Sequence, residues 1–153
     1  EEYGLTVGIH AHAAGFIDFE PEIYRLLEEV DESYLKICFD TGHHSYAGFD
    51  PVSFMRRCIQ RISYMHFKDI DPIVKEDVVS KRTDFYSACA QGIFCNLGRG
   101  DVDFETIREL LLENNFDGWC TVEQDCDPEG KTSPLDDAKI NRAYLQSIGF
   151  TGR

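Results

Sequence analysis

The sequence lacks the features that mark membrane, nucleic-acid-binding and disulfide-rich proteins. No run of apolar residues is long enough to span a bilayer. Basic residues are scarce, 15 against 28 aspartates and glutamates, and the formal net charge is −13. Nucleic acids and anionic membranes attract clustered lysine and arginine, so we expect neither as a partner. The six cysteines form no Cys-x-x-Cys pair, and we expect free thiols in a reducing, cytoplasmic compartment.

What the sequence does contain is an alternation of strand and helix patterns. Residues 20–30, for example, place Ile23, Leu26, Leu27 and Val30 at helical spacing directly after an apolar strand. Such alternation predicts a parallel α/β sheet. Four βα units in 153 residues fall well short of the roughly 250 residues of a (β/α)8 barrel. We therefore predict that residues 1–153 are a single domain, the C-terminal half of a TIM-type barrel, truncated or completed by another chain.

Three more helices can be placed from their start signals. Asp50 and Pro51 predict a helix over 50–59, Asp103 can cap a helix from 104 to about 114, and a last helix runs from about 133 to 148. The stretch 71–101 interrupts the repeat, with one short helix expected over 83–91. Long strand-to-helix connections rise over the catalytic face of a barrel, so this stretch is expected to cover a pocket or to form its own small core.

Four apolar runs end in side chains that can bind a metal ion. The runs, with their polar ends, are 5–12, 35–44, 62–69 and 119–125. Because parallel strands end at the same edge of a sheet, His10, Asp40, His66 and Glu123 are expected to meet around one point. Oxygen and imidazole groups are the ligands of divalent cations. The sequence therefore predicts a metal site at this edge.

Each of these residues also has a simpler explanation. An aspartate after a strand is usually a turn former or a helix cap, and a lone strand histidine is more often a satisfied core residue than a ligand. Glu123 ends a strand expected to be buried on both faces, but it can also emerge into solvent. His10 and His12 alternate along one strand and lie on the same side, so which of them is a ligand stays open.

The order of the motifs resembles the xylose isomerase-like sugar isomerase/epimerase barrels, and within them the inosose dehydratase branch. The resembling segments are His10-Ala-His12, Asp40-Thr-Gly-His43, His66-Phe-Lys-Asp69, Gly98-Arg-Gly-Asp-Val-Asp-Phe104 and Val122-Glu-Gln-Asp125. The resemblance implies a metal held by Asp40, His66 and Glu123, with His10 as the fourth ligand where the wider superfamily often has glutamate. It implies a substrate contact for His12.

The resemblance also implies a reaction. A metal-dependent hydro-lyase would dehydrate a keto-inositol or a similar polyhydroxy ketone through an enolate, which the ion stabilises. Mixed oxygen and nitrogen ligands favour Mn²⁺ or Co²⁺, with Mg²⁺ or Zn²⁺ as alternatives. His43, Lys68 and His12 are candidates for moving protons. The same three and Arg99 are candidates for contacting substrate, although Arg99 is more simply a solvated surface charge.

Other functions use the same residues. A sugar isomerase or epimerase of the same superfamily would return the proton instead of losing a hydroxyl. A noncatalytic half-barrel would keep the ligands by descent and act as an assembly partner. Since a half-barrel exposes two strand edges and a sheet face, we expect a homo-oligomer or a partner half. A multi-metal phosphodiester enzyme related to apurinic endonucleases is disfavoured by the acidity of the chain.

Overall fold

The computed structural model of the chain describes residues 3–125 and 133–151. The strands are β1 (Gly8–His10), β2 (Lys36–Asp40), β3 (Ile62–Phe67), β4 (Asp69–Ile70), β5 (Phe94–Cys95) and β6 (Trp119–Val122). The helices are α1 (Glu20–Glu29), α2 (Thr41–Tyr46), α3 (Pro51–Cys58), α4 (Pro72–Lys81), α5 (Phe85–Ala90), α6 (Phe104–Glu113) and α7 (Pro134–Ser147), with a 3-10 turn at Ile59–Arg61.

The main sheet has the strand order β1-β2-β3-β6, and all three pairings are parallel. Helices connect these strands, which confirms the predicted TIM-type α/β fold. The caps read from the sequence are also present: the Asp50 carboxylate accepts from the N–H groups of Val52 and Ser53, and that of Asp103 from Thr106. These caps fix where α3 and α6 begin.

The helix-facing side of the sheet carries the main core. Ile37 and Phe39 of β2 and Met65 and Phe67 of β3 are all at most 3 % exposed, and α3 and α6 pack in the same cluster. The opposite side is much less covered. Trp119 is 74 % exposed, so the expectation that β6 is buried on both faces was wrong. The reason is that Trp119 pairs with Tyr64 on the side of the sheet away from the helices, whereas Cys120 and Val122 pack against the core.

The interruption at 71–101 is more ordered than the sequence indicates. It contains α4, the expected short helix as α5, and β5, which pairs antiparallel with β4. A second apolar cluster includes Val78 of α4, Phe85 of α5 and Phe94 of β5, together with Ala13 after β1. The insertion therefore has its own small core, and that core reaches the end of β1.

The five cysteines within the described residues are free thiols, and Cys126 lies outside those residues. None of the helices in residues 3–125 and 133–151 is long and apolar enough to cross a membrane.

Candidate metal centre

The candidate centre begins at Asp40, the last residue of β2 and the residue before α2. Its Oδ1 accepts a hydrogen bond from the backbone N–H of His43 at 2.8 Å, so Asp40 caps the helix. Its Oδ2 lies 3.6 Å from His10 Nε2 and 3.4 Å from His66 Nδ1. The cap and the polar cluster predicted as alternatives are thus both present, one for each carboxylate oxygen.

Four donor atoms from four neighbouring strands converge here. They are His10 Nε2, Asp40 Oδ2, His66 Nδ1 and Glu123 Oε2, and all lie within 4.8 Å of one another. The strand register brings them together, since Asp40 pairs with His66 and the N–H of Glu123 donates to the Phe67 carbonyl at 3.1 Å. Donors bound to one ion at about 2.1 Å lie at most about 4.2 Å apart, so a small adjustment lets these four share a cation.

The same four atoms are buried, and their closest polar contacts are with one another and with Lys68: His66 Nδ1 is in close contact with Glu123 Oε2, and Lys68 Nζ lies 3.5 Å from Asp40 Oδ2. None of the four makes a hydrogen bond of ordinary geometry among residues 3–125 and 133–151. Buried polar atoms in folded proteins are hydrogen-bonded in the large majority of cases, so four exceptions at one point need a cause. Two imidazole nitrogens and two carboxylate oxygens suit a divalent transition metal ion. The donor set therefore fits a metal ion, which would satisfy all four atoms at once.

Electrostatics favour ionised carboxylate at the centre. Burial would raise the pKa of Asp40, but the proximity of His10 and His66 and the charge of Lys68 outweigh it and hold that pKa well below its usual range. The neighbouring Asp40 in turn raises the pKa of His66, against the effect of burial. On its other side, His66 Nε2 lies 3.7 Å from Cys38 Sγ, a contact that can fix the orientation of the ring.

Lys68 lies beside the centre with its side chain 1 % exposed. Its Nζ is 2.9 Å from Asp125 Oδ2, 3.1 Å from His43 Nε2, and 3.5 Å from both Asp40 Oδ2 and Glu123 Oε1. Burial would lower the pKa of Lys68, but Asp40, Asp125 and Glu123 raise it overall. Lys68 is thus held as an ammonium among three carboxylates. The sequence pattern gives Asp125 no role of its own, although Asp125 alternates with Glu123 directly after β6.

The two other predicted histidines stack beside this lysine. The ring centroids of His12 and His43 are 3.7 Å apart, and Phe85 of α5 lies 5.5 Å from the His12 ring and 5.6 Å from the His43 ring. His12 is half-buried, whereas the His43 side chain is 1 % exposed. Burial lowers the pKa of His43 to about 3, with Lys68 adding to the effect, so His43 is neutral. The insertion therefore forms one wall of the site, beside both imidazoles.

Two residues near these motifs lie apart from the centre. Arg99 is exposed, and its side chain makes no hydrogen bond or ion pair with the part of the chain that the structure describes. His44, the neighbour of His43, is buried with Nε2 2.9 Å from Glu20 Oε1 and packs on Phe39 and Phe54. Of the two adjacent imidazoles, only His43 faces the candidate centre.

Asp69 explains why two of the sequence motifs occur together. Its buried carboxylate accepts hydrogen bonds from four backbone N–H groups, those of Ile70, Gly98, Gly100 and Val102. A side chain at Gly100 would collide with this carboxylate. Asp69 therefore organises the loop before α6, a role that needs both motifs to be close in space and that sequence spacing does not reveal.

A parallel α/β half-barrel with polar donors at the carboxyl ends of its strands defines a protein of the TIM-barrel class. The chain belongs to the family described as xylose isomerase-like TIM barrel, whose sequence profile matches residues 1–148. Among curated relatives, it is 36% identical to an inosose dehydratase of Clostridium tetani over 146 residues, 95% of this chain and 49% of the relative. It is 35% identical to an inosose dehydratase of Geobacillus kaustophilus over 148 residues, 97% of this chain and 48% of the relative.

Two solved structures have the same fold over about half of their own length. The probable 3-DHS dehydratase AsbF of Bacillus anthracis superposes with a TM-score of 0.70 at 22% identity, covering 99% of this chain and 52% of that one. The IOLI protein with a bound zinc atom has a TM-score of 0.68 at 15% identity, covering 97% and 50%. The chain thus spans about half the length of the relatives and structures that it matches.

Proposed function

We propose that this chain is the metal-binding half of an enzyme that dehydrates a keto-inositol or a similar polyhydroxy ketone. The observation that carries the proposal is the convergence, on four strand ends, of four buried donor atoms that have no hydrogen bond of ordinary geometry among the described residues. The curated relatives described above, named inosose dehydratases, support the choice of reaction. Because the chain spans about half of those relatives, the proposal leaves part of the pocket to a segment beyond this chain or to a partner chain.

In this proposal Asp40, His66, Glu123 and His10 hold one divalent cation. Bound there, the cation would stabilise the negative charge that forms on a substrate carbonyl oxygen when the neighbouring carbon loses its proton. Mn²⁺ or Co²⁺ suits the mixed donors, with Mg²⁺ or Zn²⁺ as alternatives, and the zinc in the IOLI structure supports a transition metal in this fold. The cytoplasmic location stays a prediction.

The remaining residues move protons and contact substrate. Dehydration breaks a C–H bond and the C–O bond on the adjacent carbon, and the departing hydroxyl leaves as water after it gains a proton. His43 is neutral and Lys68 is an ammonium, and the 3.1 Å contact between His43 Nε2 and Lys68 Nζ gives a path along which a proton can pass between them. His12 lies over His43 and is the more exposed of the two, which makes it the better placed for direct contact with substrate. Arg99, exposed in the loop before α6, stays a proposed substrate contact.

The test compares His43→Asn with His44→Asn in the intact protein. Adjacent in sequence, the two histidines face the centre and the core respectively, so the second variant controls for loss of a buried imidazole. We expect His43→Asn to keep its metal while turnover of a keto-inositol falls roughly 10²- to 10⁴-fold. Exchange of the substrate α-proton with deuterated solvent should fall with it. Full activity in His43→Asn would remove that residue from the mechanism.

The same assay separates the alternatives. Proton exchange without loss of water in the metal-loaded parent would indicate an isomerase or epimerase. Absence of both, despite bound metal, would defeat the lyase proposal and leave the noncatalytic half-barrel.

Sedimentation tests whether the half-barrel associates with another chain, as the proposal expects. Within the described residues β1 and β6 each pair on one side only, and Trp119 of the edge strand β6 is largely exposed. Open edges and exposed apolar side chains promote association. The 153-residue chain alone should therefore sediment as an oligomer or lose solubility. A monomer that unfolds cooperatively across a wide concentration range would instead mean that these residues form a self-sufficient domain.

A further inference from the structure

We infer that Lys68 is a built-in cation that opposes the metal ion, so that removing its charge tightens metal binding. The inference rests on the metal centre of the proposed function. It concerns one arrangement: the Lys68 ammonium lies 3.5 Å from Asp40 Oδ2 and 3.5 Å from Glu123 Oε1, and these residues are two of the four proposed ligands. Asp40 Oδ2 is itself one of the four converging donor atoms.

The fold holds this ammonium in place from several sides. The Thr41 hydroxyl accepts from the Lys68 N–H at 3.0 Å and donates to the Lys68 carbonyl at 2.7 Å, which fixes the backbone. The aliphatic stem passes so close to α2 that a Cβ at Gly42 would lie 2.5 Å from Lys68 Cγ. The Nζ atom lies 4.8 Å from the centre of the Phe94 ring, a cation–π contact from the insertion. A lysine packed in this way cannot swing away when a metal ion arrives.

The fixed charge has opposite consequences for the two states of the site. Without metal, the ammonium stabilises three carboxylates, those of Asp40, Glu123 and Asp125, that would otherwise repel one another in a buried setting. With metal, the same ammonium is a like charge within a few ångströms of the ion, where repulsion is only partly screened. Both effects weaken metal binding in the parent. If substitution of Lys68 acted only by loosening the structure, it would weaken metal binding instead, because a disordered ligand shell binds a metal less well.

Asp125 provides a variant of opposite sign. Its carboxylate lies 2.9 Å from Lys68 Nζ and therefore neutralises part of the ammonium charge. Asp125 is not one of the four converging donors, so its substitution removes no proposed ligand. Asp125→Asn keeps the size of the side chain and leaves the Lys68 charge less compensated. That variant should therefore weaken metal binding, whereas Lys68→Met should strengthen it.

The experiment titrates Mn²⁺ into the metal-free intact protein and follows free Mn²⁺ by electron paramagnetic resonance. The proteins are the parent, Lys68→Met, Asp125→Asn and the control Lys81→Met, whose exposed lysine pairs with Asp77 at 2.7 Å. We expect Lys68→Met to bind Mn²⁺ roughly 10- to 100-fold more tightly, and Asp125→Asn several-fold more weakly. The exposed control should stay within about 2-fold because surface pairs are weak and screened. Thermal unfolding of the metal-free proteins should show Lys68→Met as the least stable of the four.

The outcomes separate this inference from the proposed function. If the parent binds Mn²⁺ and Lys68→Met binds it equally or more weakly, the inference that the Lys68 charge opposes the metal ion is wrong. The proposed metal centre is unaffected by that result. If Lys68→Met cannot be obtained folded, Asp125→Asn decides, and tighter binding there overturns the inference. If neither the parent nor Lys68→Met binds Mn²⁺, the metal centre and this inference fall together.

Discussion

The two faces of the four-stranded sheet differ in how completely their side chains are satisfied. On the helix-facing side, Phe39 and Met65 are at most 3 % exposed and pack into one continuous core. On the other side, the atoms of Asp40 and His66 that converge on one point have no hydrogen-bond partner among the described residues, and Trp119 stands 74 % exposed. The first face accounts for the stability of the half-barrel. The second face leaves polar donor atoms without hydrogen bonds and an aromatic side chain uncovered, so far as the described residues are concerned.

This difference follows from the physics of each face. Apolar burial is non-directional and needs only volume and close packing, so short connections and amphipathic helices complete it. Metal donors are directional and repel one another when ionised, so they stay together only when strand register and buried charge hold them. Substitutions on the two faces should therefore change different measurable quantities.

The first expected effect is on metal affinity. Asp40→Ala and Glu123→Ala each remove one donor, and we expect metal affinity to fall more than about 100-fold in both, beyond the usual effect of residues outside the ligand shell. Asp103→Asn is the control, because Asp103 caps α6 and contributes no donor to the cluster. Asp40→Ala should also lose stability, since it removes the cap of α2, whereas Glu123→Ala should not. Unchanged metal content in both variants would remove the proposed ligand set.

The next effect compares one large aromatic residue from each face. Phe39→Ala should lower the free energy of unfolding by about 3–5 kcal/mol, because it opens a cavity in the main core. Trp119→Ala should change it by less than about 1 kcal/mol, because the side chain is largely exposed. Chemical denaturation of both variants under the same conditions gives the comparison.

A large loss in Trp119→Ala would mean that its face is already buried in solution, by a partner half or a second copy. Sedimentation of the same samples would then show whether association buries this face.

Much of this arrangement could be predicted because it rests on local or strand-end rules. The caps at Asp50 and Asp103 depend on residues a few positions away, and the four converging donors follow from the rule that parallel strands end at one edge. The sequence analysis missed α4 for a related reason: Ile73 and Val79 are both exposed, so its apolar residues do not define a single buried face.

Other features depend on contacts between distant segments. Asp125 matters because it meets Lys68, 57 residues away in sequence, and Asp69 because four amides approach it, three of them from the loop before α6. No local pattern predicts such pairs. The sequence could not assign different roles to His43 and His44 either, because that difference arises from the turn of α2, which directs one imidazole to the centre and the other to Glu20.

The smallest expected effect concerns pH and tests whether His44 belongs to the core face. Burial lowers the pKa of His44, although Glu20 opposes the shift, so the folded protein keeps this imidazole neutral below the pH at which an unfolded chain takes up the proton. Below about pH 6.5 the free energy of unfolding should therefore fall, by at most about 1.4 kcal/mol per pH unit from this group, until the pH reaches the lowered pKa.

His44→Gln removes that titration and keeps a side chain that can donate to Glu20. Urea denaturation of the parent and His44→Gln at pH 7.5 and 5.5 isolates the contribution, since the other titrating groups are common to both proteins. The parent should lose more stability than the variant on acidification, and equal losses would mean that His44 is not held neutral in the core.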